Sequence, residues 1–204
     1  TSRRRLFLLP LMDLLIFGIQ GSGKGTQAKL LAEKYGCLWF DTGAELRRLS
    51  ETDTPLGRAI AGKIDHGNLV TNEITMELTR ASMLEVKPGQ PVLFDGIPRY
   101  MEQKITFDAM LREMGREVRG ITIDVDENAA IKRILERGKT GGRIDDQDET
   151  FIKNRIEWSK KKTFPVIAAY ESEGIIARVD GNGTPEEVHE RVLVALEKVG
   201  FLVP

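Results

Sequence analysis

The segment 18–26, GIQGSGKGT, contains residues whose types and spacing suit the binding of a phosphate group. Its glycines let backbone N–H groups converge on phosphate oxygens, and Lys24 adds a full positive charge. An apolar run, 14–17, precedes the segment and a helical pattern follows it, so a helix N-terminus is expected beside the same oxygens. A flexible turn is the alternative, but strand, GxxxxGK spacing and helix together favour a phosphate-binding loop. The residues predicted to bind phosphate are Gly21, Ser22, Gly23, Lys24, Gly25 and Thr26.

The residue after the loop lysine departs from the usual form of such loops. Gly25 stands where serine or threonine is common, and Thr26 follows one position later, so no direct hydroxyl ligand to Mg²⁺ is expected. Asp95 directly follows the apolar run 92–94, which predicts a carboxylate at the carboxyl edge of a sheet. Asp95 is therefore predicted to hold Mg²⁺ through water, and a turn-forming role before Gly96 is the simpler alternative.

The elements that would position these residues alternate along the chain. Short apolar runs are separated by longer segments of helical periodicity, which is typical of βαβ units and of a parallel sheet covered by helices. The first helix is predicted over 26–35. The fold class is α/β with a five-stranded parallel sheet, whose predicted strands are 14–17, 38–40, 92–94, 120–123 and 175–179.

Two segments do not fit simple crossovers between strands. Residues 41–91 are too long for one and contain several helical patterns, broken near 53–55 and 66–68, so they predict a helical insert. Residues 138–147, GKTGGRIDDQ, are rich in glycine and charge, which predicts a mobile loop between two helices.

Composition excludes several classes of protein. Thirty Lys and Arg against thirty-one Asp and Glu give a net charge of -1, so no basic excess would attract nucleic acid or an anionic membrane. No apolar run approaches the roughly 20 residues that cross a bilayer, which argues against an integral membrane protein. Cys37 is the only cysteine, which excludes an intramolecular disulfide and a multi-cysteine zinc site. A reducing, cytoplasmic location is expected.

Residues 1–11 differ from the rest of the chain. Three arginines precede an apolar stretch that contains Pro10 and lacks a small-residue cleavage site. We interpret this segment as a leader or a non-native extension, with a mitochondrial targeting remnant as the weaker alternative. Residues 12–204 are expected to form a single domain.

Several motifs in one order resemble a known family. The sequence is similar to the nucleoside monophosphate kinases, and to the short-lid adenylate kinases in particular, through the motifs GIQGSGKGTQ, DTGAELR, GNLV, DGIPR, RGKTGGRIDD and DGNG. The resemblance implies a P-loop nucleoside triphosphate hydrolase-like fold with an NMP-binding insert, 41–70, and a short lid, 137–147. It implies reversible phosphoryl transfer from Mg-ATP to AMP giving two ADP, in a monomer that uses Mg²⁺ and carries no zinc.

The resemblance also assigns the acceptor site. It places Thr42 and Gln103 near the base of AMP, and it places Arg47 and Arg99 on the phosphate, with Arg99 aimed by a cis Ile97–Pro98 bond. The remaining residues implied at the AMP site are Asn68, Leu69, Val70, Gly96, Arg143 and Arg155.

The donor site is assigned in the same way. Arg133 and Arg137 lie four residues apart on one predicted helix face, where they can bind the nucleotide, and the backbone of Gly183 is implied at adenine. Asp145 and Asp146 are implied in lid closure. The side chains expected to act on the transferred phosphoryl group are Lys24, Arg99, Arg137, Arg143 and Arg155.

Two departures from the family pattern leave questions open. Asp41 and Ala44 stand where the pattern has Ser and Asp, so a UMP/CMP kinase of the same fold stays an alternative, as does a P-loop regulator or slow ATPase. Arg155 lies one residue farther from Thr150 than in the family. We expect the extra residue to be absorbed near the helix start, as a loop residue or a π-bulge, with Arg155 facing the site.

Overall fold

The computed structural model describes residues 11–64, 70–139 and 148–201. These form one sheet of five strands, all parallel, in the order β2-β3-β1-β4-β5, which confirms the predicted fold class. The first strand includes Leu11, which pairs with Arg116, so this residue belongs to the sheet although the sequence pattern assigned it to the leader. The strands are β1 (Leu11–Gly18), β2 (Leu38–Asp41), β3 (Val92–Asp95), β4 (Arg116–Asp124) and β5 (Ile176–Asp180).

The described helices connect these strands and cover the sheet. They are α1 (Lys24–Tyr35), α2 (Thr42–Ser50), α3 (Pro55–Ile64), α4 (Asn72–Leu84), α5 (Met101–Glu113), α6 (Glu127–Lys139), α7 (Glu149–Ser172) and α8 (Pro185–Lys198). Three of them, α2, α3 and α4, lie in the segment 41–91, as the helical-insert prediction requires. The first helix begins at Lys24, two residues before its predicted start.

The end of α6 differs from the prediction of a loop over 138–147. Gly138 and Lys139 are helical, because Ile131, Ile134 and Gly138 continue the three- and four-residue spacing of a buried helix face. That face packs against Ile152 and Ile156 of α7. The rest of the predicted loop lies outside the described residues.

Both faces of the sheet are buried by apolar side chains. Alternate residues of β1 point to opposite faces, so that Leu15 and Phe17 pack toward α4, α5 and α7, whereas Leu14 and Ile16 pack toward α1 and α8. This double coverage explains why the strands appear in the sequence as continuous apolar runs. The sheet therefore supplies a rigid base for the loops at its carboxyl edge.

The insert has a small core of its own. Leu46 of α2, Ile60 of α3 and Val70 are buried together, and they form a cluster separate from the two that cover the sheet. A separate core lets the insert keep its internal packing if it moves relative to the sheet.

A buried ion pair holds the middle of the sheet together. Asp13 of β1 is fully buried, and Nε and Nη2 of Arg116 donate to its two oxygens over 2.6 and 2.5 Å. The N–H of Val92 donates to the same carboxylate at 2.8 Å, so one side chain links β1, β3 and β4. Burial raises the pKa of Asp13, and the guanidinium opposes that rise. The sequence pattern gave no sign of this pair, because a charged residue near a strand end is usually exposed.

We expect Asp13→Ala to destabilise the fold by about 3–5 kcal/mol, because it leaves the Arg116 guanidinium, which is only 12% exposed, without its carboxylate. The matched control is Asp124→Ala, which removes a half-exposed pair with Arg178 and should cost less than about 1 kcal/mol. Urea unfolding of both variants and the wild type measures the difference. Equal midpoints for the two variants would contradict a structural role for the buried pair.

Candidate functional site

A cleft of about 710 Å³ opens where the carboxyl ends of β1, β2 and β3 meet α6 and α7. The position agrees with the general rule for ligands of open parallel sheets. The cleft collects most of the predicted site residues that the structure describes, namely Gly21, Gly23, Lys24, Gly25, Thr26, Arg47, Asp95, Gly96, Arg99, Arg133, Arg137 and Arg155.

The glycine-rich loop has the backbone that a phosphate cradle needs. Gly21 and Gly23 have φ angles of 82° and 89°, in the left-handed region where L side chains are strained. A Cβ on Gly21 would also collide with the carbonyl oxygen of Ala130, so the loop packs directly against α6. Gly23 occupies the N-cap position of α1 and has no side chain that could bond to the first N–H groups of the helix, and no acidic residue lies in the first turn. The positive end of α1 therefore faces the cleft and can bind an anion.

The loop lysine lies beside the predicted metal carboxylate. Nζ of Lys24 is 3.2 Å from Oδ1 of Asp95, and the Asp95 side chain is 6% exposed. Asp95 is the last residue of β3 and pairs in register with Asp41 of β2. Lys24 and Asp95 therefore place one cation and one hard oxygen donor at the mouth of the phosphate loop.

The donor atoms near the loop fit Mg²⁺ and do not form a complete metal cage. Asp95 offers a carboxylate, and Thr26 brings a hydroxyl to the same cleft. Among the described residues, no group of three or more His, Cys, Asp or Glu side chains is arranged to hold a metal. Mg²⁺ prefers oxygen ligands and keeps several waters, so one carboxylate together with nucleotide phosphates would suffice.

Two arginines and one aspartate converge beside Gly43. A Cβ built on Gly43 would lie 3.1 Å from Nη1 of Arg47, 3.3 Å from Oδ1 of Asp41 and 3.6 Å from Nη2 of Arg99. The three polar atoms therefore lie within about 7 Å of one another. All three residues line the cleft, so this point can receive an anionic group.

The turn after β3 fixes the direction of Arg99. Its Nε donates to the carbonyl of Gly96 at 2.8 Å, and its backbone N–H donates to Oε1 of Gln103 at 2.7 Å. The Ile97–Pro98 bond is cis, as the resemblance implies. Gln103 is buried and holds this turn, whereas the resemblance assigns it to the base of the acceptor.

The electrostatics of Arg99 indicate an anion-binding position. Loss of solvent lowers its pKa to about 10, and repulsion by Arg155 and Arg47 acts in the same direction. Attraction by Asp95 and Asp41 opposes the shift. Arg99 therefore keeps its charge at neutral pH, among other cations. A bound polyanion would relieve that repulsion.

Helix α7 brings Arg155 to the cleft and Lys153 to another face. The guanidinium carbon of Arg155 is 5.8 Å from the ring centroid of Phe151, one turn earlier, and both residues line the cleft. Lys153 pairs with Glu149 at 2.7 Å on a half-exposed face. The predicted direction of Arg155 agrees with this placement.

The extra residue before Arg155 is not accommodated as expected. Helix α7 is α-helical from Glu149, and the Asp148 side chain accepts from the N–H groups of Thr150 and Phe151. Thr150 and Arg155 thus belong to one regular helix, and the expectation of a loop residue or a π-bulge between them is wrong. The capping aspartate starts the helix before Thr150 and leaves the additional residue inside it.

The two arginines of α6 share one face, as their spacing predicts. Arg133 and Arg137 both line the cleft, and Arg133 donates to the carbonyl of Gly181 at 3.3 Å. Gly183, two residues later, has a φ of 114° and lies near the carboxylate of Glu187 rather than in the cleft lining.

Some predicted residues lie away from the cleft lining or beyond the described chain. Ser22 and Thr42 are buried and their hydroxyls have no hydrogen-bond partner among the described residues, while Val70 belongs to the small core of the insert. The predictions for Asn68, Leu69, Arg143, Asp145 and Asp146 fall outside the described residues.

Sequence reasoning missed several aromatic and polar residues of the cleft. Trp39 lies on β2, two residues before Asp41, and Trp158 follows Arg155 by three residues on α7. Helical spacing counted from Arg155 would have found Phe151 and Trp158, because residues three and four apart share a face. The remaining missed residues of α7 are Asn154, Ser159 and Thr163.

Comparison with known proteins agrees with this geometry. A family model described as adenylate kinase matches residues 16–175. An adenylate kinase of Thermus thermophilus is 38% identical over 184 residues, which cover 90% of this chain and 96% of that protein. The adenylate kinases of Flavobacterium johnsoniae and Parabacteroides distasonis are 36% and 37% identical over 190 residues, 93% of this chain and 100% of each of those proteins. The phosphate loop, the arginine cluster and these matches together show that the chain belongs to the adenylate kinase family.

Proposed function

We propose that this protein catalyses reversible phosphoryl transfer from Mg-ATP to AMP, giving two ADP. The observation that carries the proposal is that one cleft holds both a phosphate loop and a separate cluster formed by Arg47, Arg99 and Arg155. A hydrolase needs only one phosphate site, whereas transfer between two nucleotides needs two adjacent ones. Family membership supports the same activity.

The donor nucleotide is assigned to the phosphate loop and α6. The start of α1 and Lys24 line the cleft, and they are assigned to the phosphates of this nucleotide because a helix N-terminus and a lysine both attract anions. Arg133 and Arg137 are assigned to the nucleotide from the other side of the loop, with the turn at Gly183 near adenine. Mg²⁺, held through Asp95, supplies charge neutralisation of the phosphates when it is bound.

The acceptor is assigned to the arginine cluster. Arg47 and Arg99 bind the phosphate of AMP, while Thr42 and Gln103 shape the region near its base. One oxygen of that phosphate attacks the terminal phosphorus of ATP, and the bond to the bridging oxygen of the leaving ADP breaks. No general base is needed, because the acceptor phosphate is already anionic. Lys24, Arg137 and Arg155 stabilise the charge that develops during transfer.

Closure of two segments over the nucleotides completes the proposed mechanism. In the lid, 137–147, Arg143 is assigned to both phosphate groups. Asp145 and Asp146 are assigned to stabilising the closed state. The insert, 41–70, carries Asn68 and Leu69 to the base, and its separate core is consistent with movement as a unit. Closure expels water, which otherwise competes with AMP for the phosphoryl group.

The proposal extends to the setting in which the protein works. We propose a cytoplasmic monomer that binds ATP, AMP and ADP and needs no nucleic acid or zinc. Burial raises the pKa of the Cys37 thiol to about 12, so this side chain is a poor metal ligand. Among the described helices, none is both long and apolar enough to cross a bilayer.

The acceptor preference separates the proposal from its alternatives. In a coupled assay with Mg-ATP, we expect ADP formation with AMP to exceed that with CMP, UMP or GMP by about tenfold or more, the usual effect of a few pocket contacts that differ between substrates. The resemblance to the family, which assigns Thr42 and Gln103 to the base of AMP, favours AMP. A preference for UMP or CMP would assign the chain to the neighbouring kinases. ATP turnover that is independent of any acceptor would instead indicate a slow ATPase.

Replacement of the loop lysine tests the donor site. Lys24→Met should lower kcat by about 10²-fold or more, because a preorganised cation is lost from the transferring phosphoryl group. The matched control is Lys29→Met on the exposed face of α1, which should keep wild-type turnover. Steady-state kinetics and thermal unfolding of both variants measure the effect. Wild-type turnover in Lys24→Met contradicts the assignment.

A second pair of variants tests the assignment of α7. Arg155→Ala should reduce kcat/KM by about 10²-fold, since Arg155 lies in the cleft next to Arg99. Lys153→Ala removes a cation of the same helix that pairs with Glu149 away from the cleft, and it should change kcat/KM less than about twofold. A larger loss from Lys153→Ala would remove Arg155 from the site.

A further inference from the structure

Asp41 joins a local structural role to a charge inside the cleft. It is the last residue of β2 and the N-cap of α2, where its Oδ1 accepts from the N–H of Ala44 at 2.9 Å. Asparagine and serine cap helices about as well as aspartate does. The capping role therefore explains a short polar side chain at this position but does not explain a negative charge.

The charge of Asp41 lies beside the two arginines assigned to the acceptor phosphate. The position that a Cβ on Gly43 would occupy is surrounded by Oδ1 of Asp41 and by one terminal nitrogen each of Arg47 and Arg99. The carboxylate attracts the Arg99 guanidinium, since it acts to raise the pKa of that group. A phosphate that enters at this point meets the two guanidinium groups, which attract it, and the Asp41 carboxylate, which repels it, while Asp95 is a second carboxylate that attracts Arg99.

We propose that Asp41 sets the affinity for the acceptor by competing with its phosphate for Arg47 and Arg99. The inference rests on the proposed function and concerns the strength of acceptor binding rather than the chemistry of transfer. Attraction between the carboxylate and the guanidinium groups stabilises the empty site, and a phosphate dianion gains less when it binds. The same repulsion speeds the release of the ADP that forms at this position.

The mechanism predicts selectivity for charge rather than for the base. AMP carries the phosphate that meets Asp41, whereas adenosine presents the same base without that charge. Removal of the carboxylate should therefore strengthen AMP binding and leave adenosine binding unchanged. The difference should shrink at high ionic strength, because salt screens the repulsion at an open cleft.

Asp41→Asn tests the proposal because it keeps the shape and the capping oxygen while it removes the charge. The matched control is Asp126→Asn, which removes one negative charge at another helix start. Asp126 is exposed, caps the N–H groups of Asn128 and Ala129, and does not line the cleft. Asp41→Ser provides a second variant that can cap α2, and thermal unfolding shows that each variant is folded.

The experiment measures the KM for AMP at saturating Mg-ATP, the inhibition constant of adenosine against AMP, and the KM for ATP. We expect Asp41→Asn to lower the KM for AMP by about tenfold at low salt, with the other two constants within about twofold of the wild type. Asp126→Asn should change none of them. At a salt concentration of about 0.5 M, the decrease in the KM for AMP caused by Asp41→Asn should be about threefold or less.

Three results would overturn the inference. The first is an unchanged or higher KM for AMP in Asp41→Asn. The second is an equal increase in affinity for AMP and for adenosine in that variant. The third is an equal decrease in the KM for AMP in Asp126→Asn. Failure of the proposed function is a separate result, because the wild-type protein would then form no ADP from ATP and AMP.

Discussion

Burial of the charged Arg99 side chain among other arginines is the constraint on which the site depends. Loss of solvent is the largest cause that lowers the pKa of Arg99; repulsion by Arg155 and Arg47 acts in the same direction, and attraction by Asp95 and Asp41 opposes it. The fold holds the group in place through the Gly96 carbonyl and the Gln103 side chain, which fix the turn after β3. A bound phosphate would offset the cost of burying Arg99, because its negative charge interacts favourably with the guanidinium group.

The rest of the molecule supplies the rigidity that such a cluster needs. Apolar side chains cover both faces of the sheet, and the buried pair of Asp13 and Arg116 links its three central strands at the edge away from the cleft. The parts proposed to move are packed differently. The insert uses a small core around Leu46, Ile60 and Val70 that is distinct from the two clusters on the sheet. Helix α4 connects the two regions, because it packs Ile74 and Leu78 against this core and Met76 and Met83 against the sheet.

The sequence was sufficient for features that depend on local pattern. Apolar runs gave all five strands, and the glycine-rich loop gave the position of the phosphate site, because each signal lies within a few consecutive residues. It was insufficient where distant residues meet. The pair of Asp13 and Arg116 spans 103 positions, and the interaction of Arg155 with Arg99 depends on how α7 crosses the turn after β3. The glycine and charge of 138–147 predicted a loop there, although the spacing of Ile131, Ile134 and Gly138 continues the buried face of α6.

Position 41 shows why a local rule can be satisfied while the function is still undetermined. Aspartate, asparagine and serine are nearly equivalent as helix caps, so the folding of α2 leaves the choice among them almost free. The difference between a charged and a neutral cap matters because Arg47, on α2 itself, and Arg99, after β3, both lie beside the Asp41 carboxylate. A substitution at position 41 can therefore change the proposed affinity for the acceptor with little effect on the stability of the fold. The placement of Asp41 at the junction of β2 and α2 gives this capping residue its proposed influence on the binding of the acceptor.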